Sequence, residues 1–146
     1  MDINSLLHAL NNDNNEAVVD LDYSTIAKHK NDLLQQLNLP KEELQKLHKQ
    51  LKAYRCVNNL EDLRFGSYVR WISLKNPEII KLTNGGIVCD IKEVKGDIHI
   101  KCKNKMNMLF QVKMSEVLLF QKLSEQEEVI LKAMKYLGGA PPTTPL

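Results

Sequence analysis

The chain has 146 residues, 43 % of them hydrophobic, a net charge of +2 and three cysteines, enough for one ordinary domain or a domain with an appendage. A core of that apolar content needs neither metal nor disulfide, and an odd cysteine count without C-x-x-C spacing excludes a disulfide framework. No apolar run approaches the ~20 residues of a membrane helix, and Met1-Asp-Ile-Asn lacks the basic start of a secretory leader, so a soluble chain is expected.

The charge is unevenly laid out. Residues 1–23 carry −5, whereas residues 64–123 carry +6. Lysine outnumbers arginine 17 to 3, with 13 asparagines beside them, a composition expected from AT-rich coding. Such asymmetry points to contact with a polyanion, or to an acidic arm that masks the basic region.

Residues 1–23 read as an acidic flexible arm. Ile3, Leu6, Leu7 and Leu10 allow one or two helical turns for docking. Asn11-Asn-Asp-Asn-Asn15 favours turns, because its side chains compete for backbone hydrogen bonds. Residues 24–63 read as a helical hairpin. Ser24 is the expected N-cap of a helix reaching about Asn38, with Ile26, Leu33, Leu34 and Leu37 near one face. Pro40 suits the first turn of the next helix, and Glu42 and Glu43 complement its dipole. Leu44, Leu47, Leu51 and Tyr54 then recur every three or four residues. That stripe predicts packing on the sheet or on a second subunit. Leu33, Leu37, Leu44, Leu47 and Leu51 are therefore the candidate protein-binding residues if the face is not used internally, and a homodimer is the assembly they imply.

Residues 64–123 alternate between apolar and polar. Tyr68–Leu74, Gly86–Ile91, Asp97–Cys102, Met108–Met114 and Val117–Leu123 predict four to five strands. Asn76-Pro77 stops the first, while Asn84-Gly85-Gly86 and Lys95-Gly96-Asp97 are turns where positive φ is expected. Loops this short predict a meander that curls into a small antiparallel barrel. Cys89 and Cys102 fall on apolar positions of neighbouring strands and read as reduced core thiols, which implies a reducing compartment. Ser124-Glu-Gln-Glu127 is a capping box that opens a helix over 124–139, Gly138-Gly139 and Pro141-Pro142 close it, and residues 140–146 read as a disordered tail. The predicted class is α+β: an N-terminal helical hairpin, a small antiparallel β-barrel of 4–5 strands, and a C-terminal helix capping one barrel opening.

Patterns that carry chemistry are sparse. His8, His29, His48 and His99 do not reach the ligand count of a zinc site. There is no Gly-x-Ser-x-Gly, and Gly85-Gly86 lacks the Gly-Lys-Ser/Thr ending of a phosphate loop. Glu125, Glu127 and Glu128 sit where a helix dipole wants acids. No catalytic, metal or cofactor residue is predicted, and the chain reads as a non-enzyme; an unrecognised site converging from distant positions is the alternative.

The one informative arrangement is basic. With Ile98, Ile100 and Cys102 inward, His99, Lys101 and Lys103 face outward together. Lys105 follows in the loop, and Gln111 and Lys113 join from the next strand, ~4.8 Å away. Lys101, Lys103, Lys105 and Lys113 are the candidate nucleic-acid-binding residues. They suit phosphates with little sequence preference, since base readout favours guanidinium groups. A solvated face that uses lysine against edge-to-edge pairing explains the same residues. Tyr68 and Trp71 have opposite parity on one strand, so one enters the core and the other lines a groove.

Phe65-Gly-Ser-Tyr-Val-Arg-Trp-Ile72, the Gly-Gly turn and Ile87–Leu123 resemble an SH3-like small barrel of the Tudor type, over about 60 residues. The aromatic cage of methyl-ligand recognition is not among them. Tyr68-Val-Arg-Trp-Ile72, Leu82-Thr-Asn-Gly-Gly-Ile87 and Leu119-Phe-Gln-Lys-Leu-Ser124 resemble uncharacterised proteins of large nucleocytoplasmic DNA viruses. The first resemblance implies a partner-holding barrel. The second implies a viral factory in the host cytoplasm, or a virion. The expectation is a non-enzymatic binding or structural module, engaging protein and nucleic acid through the lysine face, with no membrane partner. A pure protein–protein scaffold or virion component is the rival reading.

Overall fold

The computed structural model describes residues 3–12, 15 and 21–138. It divides into two units: residues 29–122, and residues 1–28 together with 123–146. The class is α+β, with four α-helices and one antiparallel sheet among the described residues. No helix among the described residues is long and apolar enough to cross a membrane.

The unit 29–122 is built on six strands: β1 (Tyr54–Val57), β2 (Tyr68–Ser73), β3 (Gly86–Val94), β4 (Asp97–Lys103), β5 (Leu109–Lys113) and β6 (Val117–Lys122). Their order is β1-β6-β2-β3-β4-β5, and every pairing is antiparallel. The closed barrel expected of four to five strands is therefore corrected to an open six-stranded sheet with β1 and β5 at its edges. The reason is β6. It pairs with β2, the first strand of the expected meander, and on its other side with β1, a strand that the helical spacing through Tyr54 hides, while β5 pairs only with β4. Tyr54 and Cys56 pair opposite Lys122 and Phe120, so the apolar spacing that extended the leucine stripe to Tyr54 belongs to the start of β1.

Side-chain parity gives the sheet two apolar faces. On one, Val57, Val69, Trp71, Val88, Ile100, Cys102 and Leu119 are buried together with Leu63. On the other, Tyr54, Ile72 and Phe120 meet Leu82 and the helices α2 (Tyr23–Gln35) and α3 (Lys41–Gln50). Leu47 and Leu51 are buried there with Leu34, and Leu33, Leu37 and Leu44 are half-buried against them. The five leucines expected to bind protein thus turn inward, because the outer face of β1, β6 and β2 supplies the apolar partner they need. Each fully buried leucine or isoleucine contributes roughly 1.5–3 kcal/mol.

Buried polar groups fasten the connectors. The Gln121 side chain, fully buried, accepts from the Arg64 amide (3.0 Å) and the Ser67 hydroxyl (2.7 Å) and donates to the Asp62 carbonyl (2.8 Å). Arg55, opposite Gln121 in the ladder, donates to that same carbonyl at 2.9 Å. Lys30, only 7 % exposed, donates from Nζ to the Leu51 carbonyl at 2.8 Å. That carbonyl also accepts from the Tyr54 amide (3.0 Å), and at the end of α3 a cation complements the dipole. Lys95 (φ 51°) and Gly96 (φ 82°) are the paired left-handed residues of a two-residue hairpin between β3 and β4. A register shift between Val88 and Asp90 turns Cys89 out to solvent, where its thiol donates to the Lys101 carbonyl (3.4 Å). The core position expected for Cys89 is corrected by that bulge.

In the other unit, α1 (Ile3–Asn11) packs along α4 (Glu125–Gly138). Leu6 and Ala9 meet Ile26, Leu123, Ile130 and Leu131. The described part of the expected arm is thus a docked helix. Asp2, Asp13, Glu16 and Asp20 lie outside the described residues, as does the tail expected over 140–146. Asp22, not Ser24, caps α2: its Oδ1 accepts from the Thr25 amide at 2.6 Å, which holds the carboxyl below its ordinary range. The capping box forms reciprocally, with Ser124 N to Glu127 Oε1 at 3.0 Å and Glu127 N to Ser124 Oγ at 3.1 Å.

Candidate nucleic-acid interface

Strand alternation places the predicted lysines on one face. In the β3–β4–β5 ladder, Asp90 pairs with Lys101, Lys92 with His99, His99 with Lys113, and Lys101 with Gln111. Their side chains therefore point away from the core formed by Ile91, Ile100 and Val112. Lys92, Lys103 and Lys113 are exposed, and Lys101 is half-buried between its neighbours. The His99 ring meets the Gln111 amide at 2.9 Å. Two acids share this face: Asp90 sits 3.7 Å from Lys92, and Asp97 accepts the Ser115 hydroxyl at 2.7 Å. Lys101, Lys103 and Lys113 are brought together, and Lys105 stands apart in the β4–β5 loop.

Lys105 instead borders a groove that sequence reasoning missed. This cavity, about 740 Å³, is walled by Tyr54, Tyr68, Arg70, Lys105, Met106 and Lys122. Its floor follows from pairing. Tyr54 lies opposite Lys122 on β6, and Tyr68 and Arg70 rise from the same face of β2. Three cations thus stand beside two phenol rings, with no carboxylate among the lining residues. Burial pushes the Tyr54 phenol up, while the Arg70 charge opposes that shift.

The rim is held by the segment ahead of β3. Thr83 donates its amide to the Trp71 carbonyl (2.9 Å), its hydroxyl accepts from Trp71 N (3.2 Å), and its carbonyl accepts from Arg70 Nε (2.7 Å). The Tyr68 hydroxyl donates to the Asn84 carbonyl. Opposite, Asn104 Oδ1 accepts the Met106 and Met108 amides, both at 2.9 Å, which folds the loop that presents Lys105. Beyond Asn84, Gly85 and Asn104 lies a second cleft of about 390 Å³, whose other walls include Trp71, Phe110 and Lys81.

Thiol and metal chemistry find little here. Burial pushes Cys56 up to about 11 and Cys102 to about 12, far from thiolate reactivity. His48 meets Asn31 at 3.1 Å on the neighbouring helix. No group of three or more potential metal-ligating side chains occurs among the described residues. The one local signal of the groove is the alternation of Tyr68 with Arg70; Tyr54 and its partner Lys122 meet only through the β1–β6 pairing. Its strands are joined only by the insertion of β6. Comparison with family models, with curated proteins and with solved structures finds no match for this chain.

Proposed function

We propose that the protein is a non-enzymatic binding module whose lysine-bearing sheet face contacts the phosphates of nucleic acid. One observation carries the reading. Exposed ammonium groups of Lys103 and Lys113 flank Lys101 on a solvent-facing ladder, and Lys105, in the β4–β5 loop, borders a groove with two further cations and no acid among its lining residues. Point charges on a flexible stem suit a phosphate backbone and read little sequence. The resemblance to proteins of large nucleocytoplasmic DNA viruses supports a viral factory or virion setting. The free thiols of Cys56, Cys89 and Cys102 fit a chain kept reduced. The Tudor-type likeness contributes only the precedent of small β modules that hold partners.

The experiment is a titration of labelled DNA and RNA at about 50 mM and about 200 mM salt. Binding is expected at the lower salt, and with about four phosphates neutralised it weakens roughly 50-fold across that range for a single strand and roughly 150-fold for a duplex. No retention at the lower salt removes the reading. A protein–protein scaffold or virion component is the second reading, and edge strand β5 favours it. Met106 is 79 % exposed and Leu109 63 %, with Met108 and Phe110 also exposed beside an edge able to accept another strand.

A further inference from the structure

We infer that the groove walled by Tyr54, Tyr68, Arg70, Lys105 and Lys122 seats a nucleotide of an unpaired strand, so that the protein takes single-stranded nucleic acid in preference to duplex. This rests on the reading of the lysine face as a phosphate-binding surface, and it names the form of the ligand.

The groove pairs rings with cations: Tyr54 and Tyr68 stand beside Arg70, Lys105 and Lys122. The second cleft lies on the opposite face of the sheet, where Trp71 belongs to the core, and takes no part. An unstacked base lies on an aromatic wall while its phosphate meets an ammonium or guanidinium, and such contact tolerates any base because every base has a π-face. A volume of about 740 Å³ falls in the range of sites for molecules of that size. Lys103 stands on the same sheet face as Tyr68, so a backbone tracking Lys101 and Lys103 reaches the groove without leaving that face, and no carboxylate is among the groove's lining residues. The walls are preorganised by the Thr83 and Asn104 hydrogen bonds, which reduces the ordering that binding requires. Duplex bases are stacked and paired, so a duplex reaches only the rim lysines. An acidic peptide uses the cations but leaves the ring walls idle.

The test is fluorescence anisotropy of the full chain with a labelled oligothymidylate of about 12 nucleotides and with the duplex of the same length, at about 100 mM salt. The single strand should bind about tenfold more tightly. Lys105→Gln with Lys122→Gln, both exposed, should weaken the single strand about tenfold and the duplex by much less, which abolishes that preference. Photocrosslinking of an iodouracil-substituted strand should map to Tyr54 or Tyr68. Equal affinity for both forms, unaffected by that pair but lowered by Lys103→Gln with Lys113→Gln, overturns the groove and leaves the lysine-face reading standing. Crosslinks confined to other residues also overturn it. Displacement of the strand by polyglutamate as readily as by unlabelled oligothymidylate assigns the cations to an acidic protein and overturns it too. Binding of neither form removes both proposals.

Discussion

Gly85 combines two constraints that only glycine meets together. Its φ is +77°, and a Cβ there would stand 1.9 Å from the Val69 carbonyl oxygen, a backbone atom that cannot rotate away. Gly96 has a similar φ of +82° with nothing within 4 Å. Gly96→Ala therefore carries conformational strain alone, about 1 kcal/mol. Gly85→Ala adds the displacement of the rim from β2 and should lose at least about 2 kcal/mol. Urea unfolding of the two variants checks this, and equal losses would contradict the packed rim. His48 gives a second residue-level prediction. Burial, and then the Lys30 charge, lower its pKa. The unfolded chain takes up a proton near pH ~6.5 that the folded ring accepts only at lower pH. Protons bound by the unfolded state exceed those bound by the folded state in that window, so stability falls as pH drops through it. His48→Gln keeps a polar partner for Asn31 and should show a smaller fall in melting temperature between pH ~7.5 and ~5.5. An unchanged fall would place the acid sensitivity elsewhere.

At the scale of elements, the elements that formed as read were those whose signals are local. Ser124 and Glu127 lie within one turn, and their capping box was legible because both partners sit in a four-residue window. Ser124→Ala should lower stability by about 1 kcal/mol, with Ser124→Asp largely restoring it, in thermal or urea melts. No loss on the alanine change would mean that the hydroxyl bond contributes nothing. The strands β2 to β6 were legible for the same reason, since alternation and glycine or asparagine turns mark them residue by residue. Strand β1 was not. Leu51 and Tyr54 continue a helical spacing, and only pairing of residues 54–57 with residues 119–122, far along the chain, makes them a sheet edge. Openness of the sheet was equally hidden, because it depends on where β6 inserts. The outward turn of Cys89 depends on a bulge that no alternation pattern announces.

For the whole molecule, the distribution of charge decides the functional reading. The lysine face could be read in advance because a period of two separates Ile98, Ile100 and Cys102 from His99, Lys101 and Lys103. The groove could not, since Tyr54, Arg70 and Lys122 come from three strands whose adjacency is a property of the assembled sheet. Net charge alone attracts polyanions from a distance, whereas contact by particular lysines is local and short-ranged. These can be separated by moving the same charge change to another surface. Lys103→Glu with Lys113→Glu reverses two charges on the sheet face; Lys41→Glu with Lys46→Glu reverses two exposed charges on α3. Both doubles alter the net charge equally. The measurement is the affinity of each for one labelled oligonucleotide at a single salt concentration. The account predicts a loss of about tenfold or more for the sheet-face double and at most about threefold for the helix double; equal losses, or none in the sheet-face double, would contradict it.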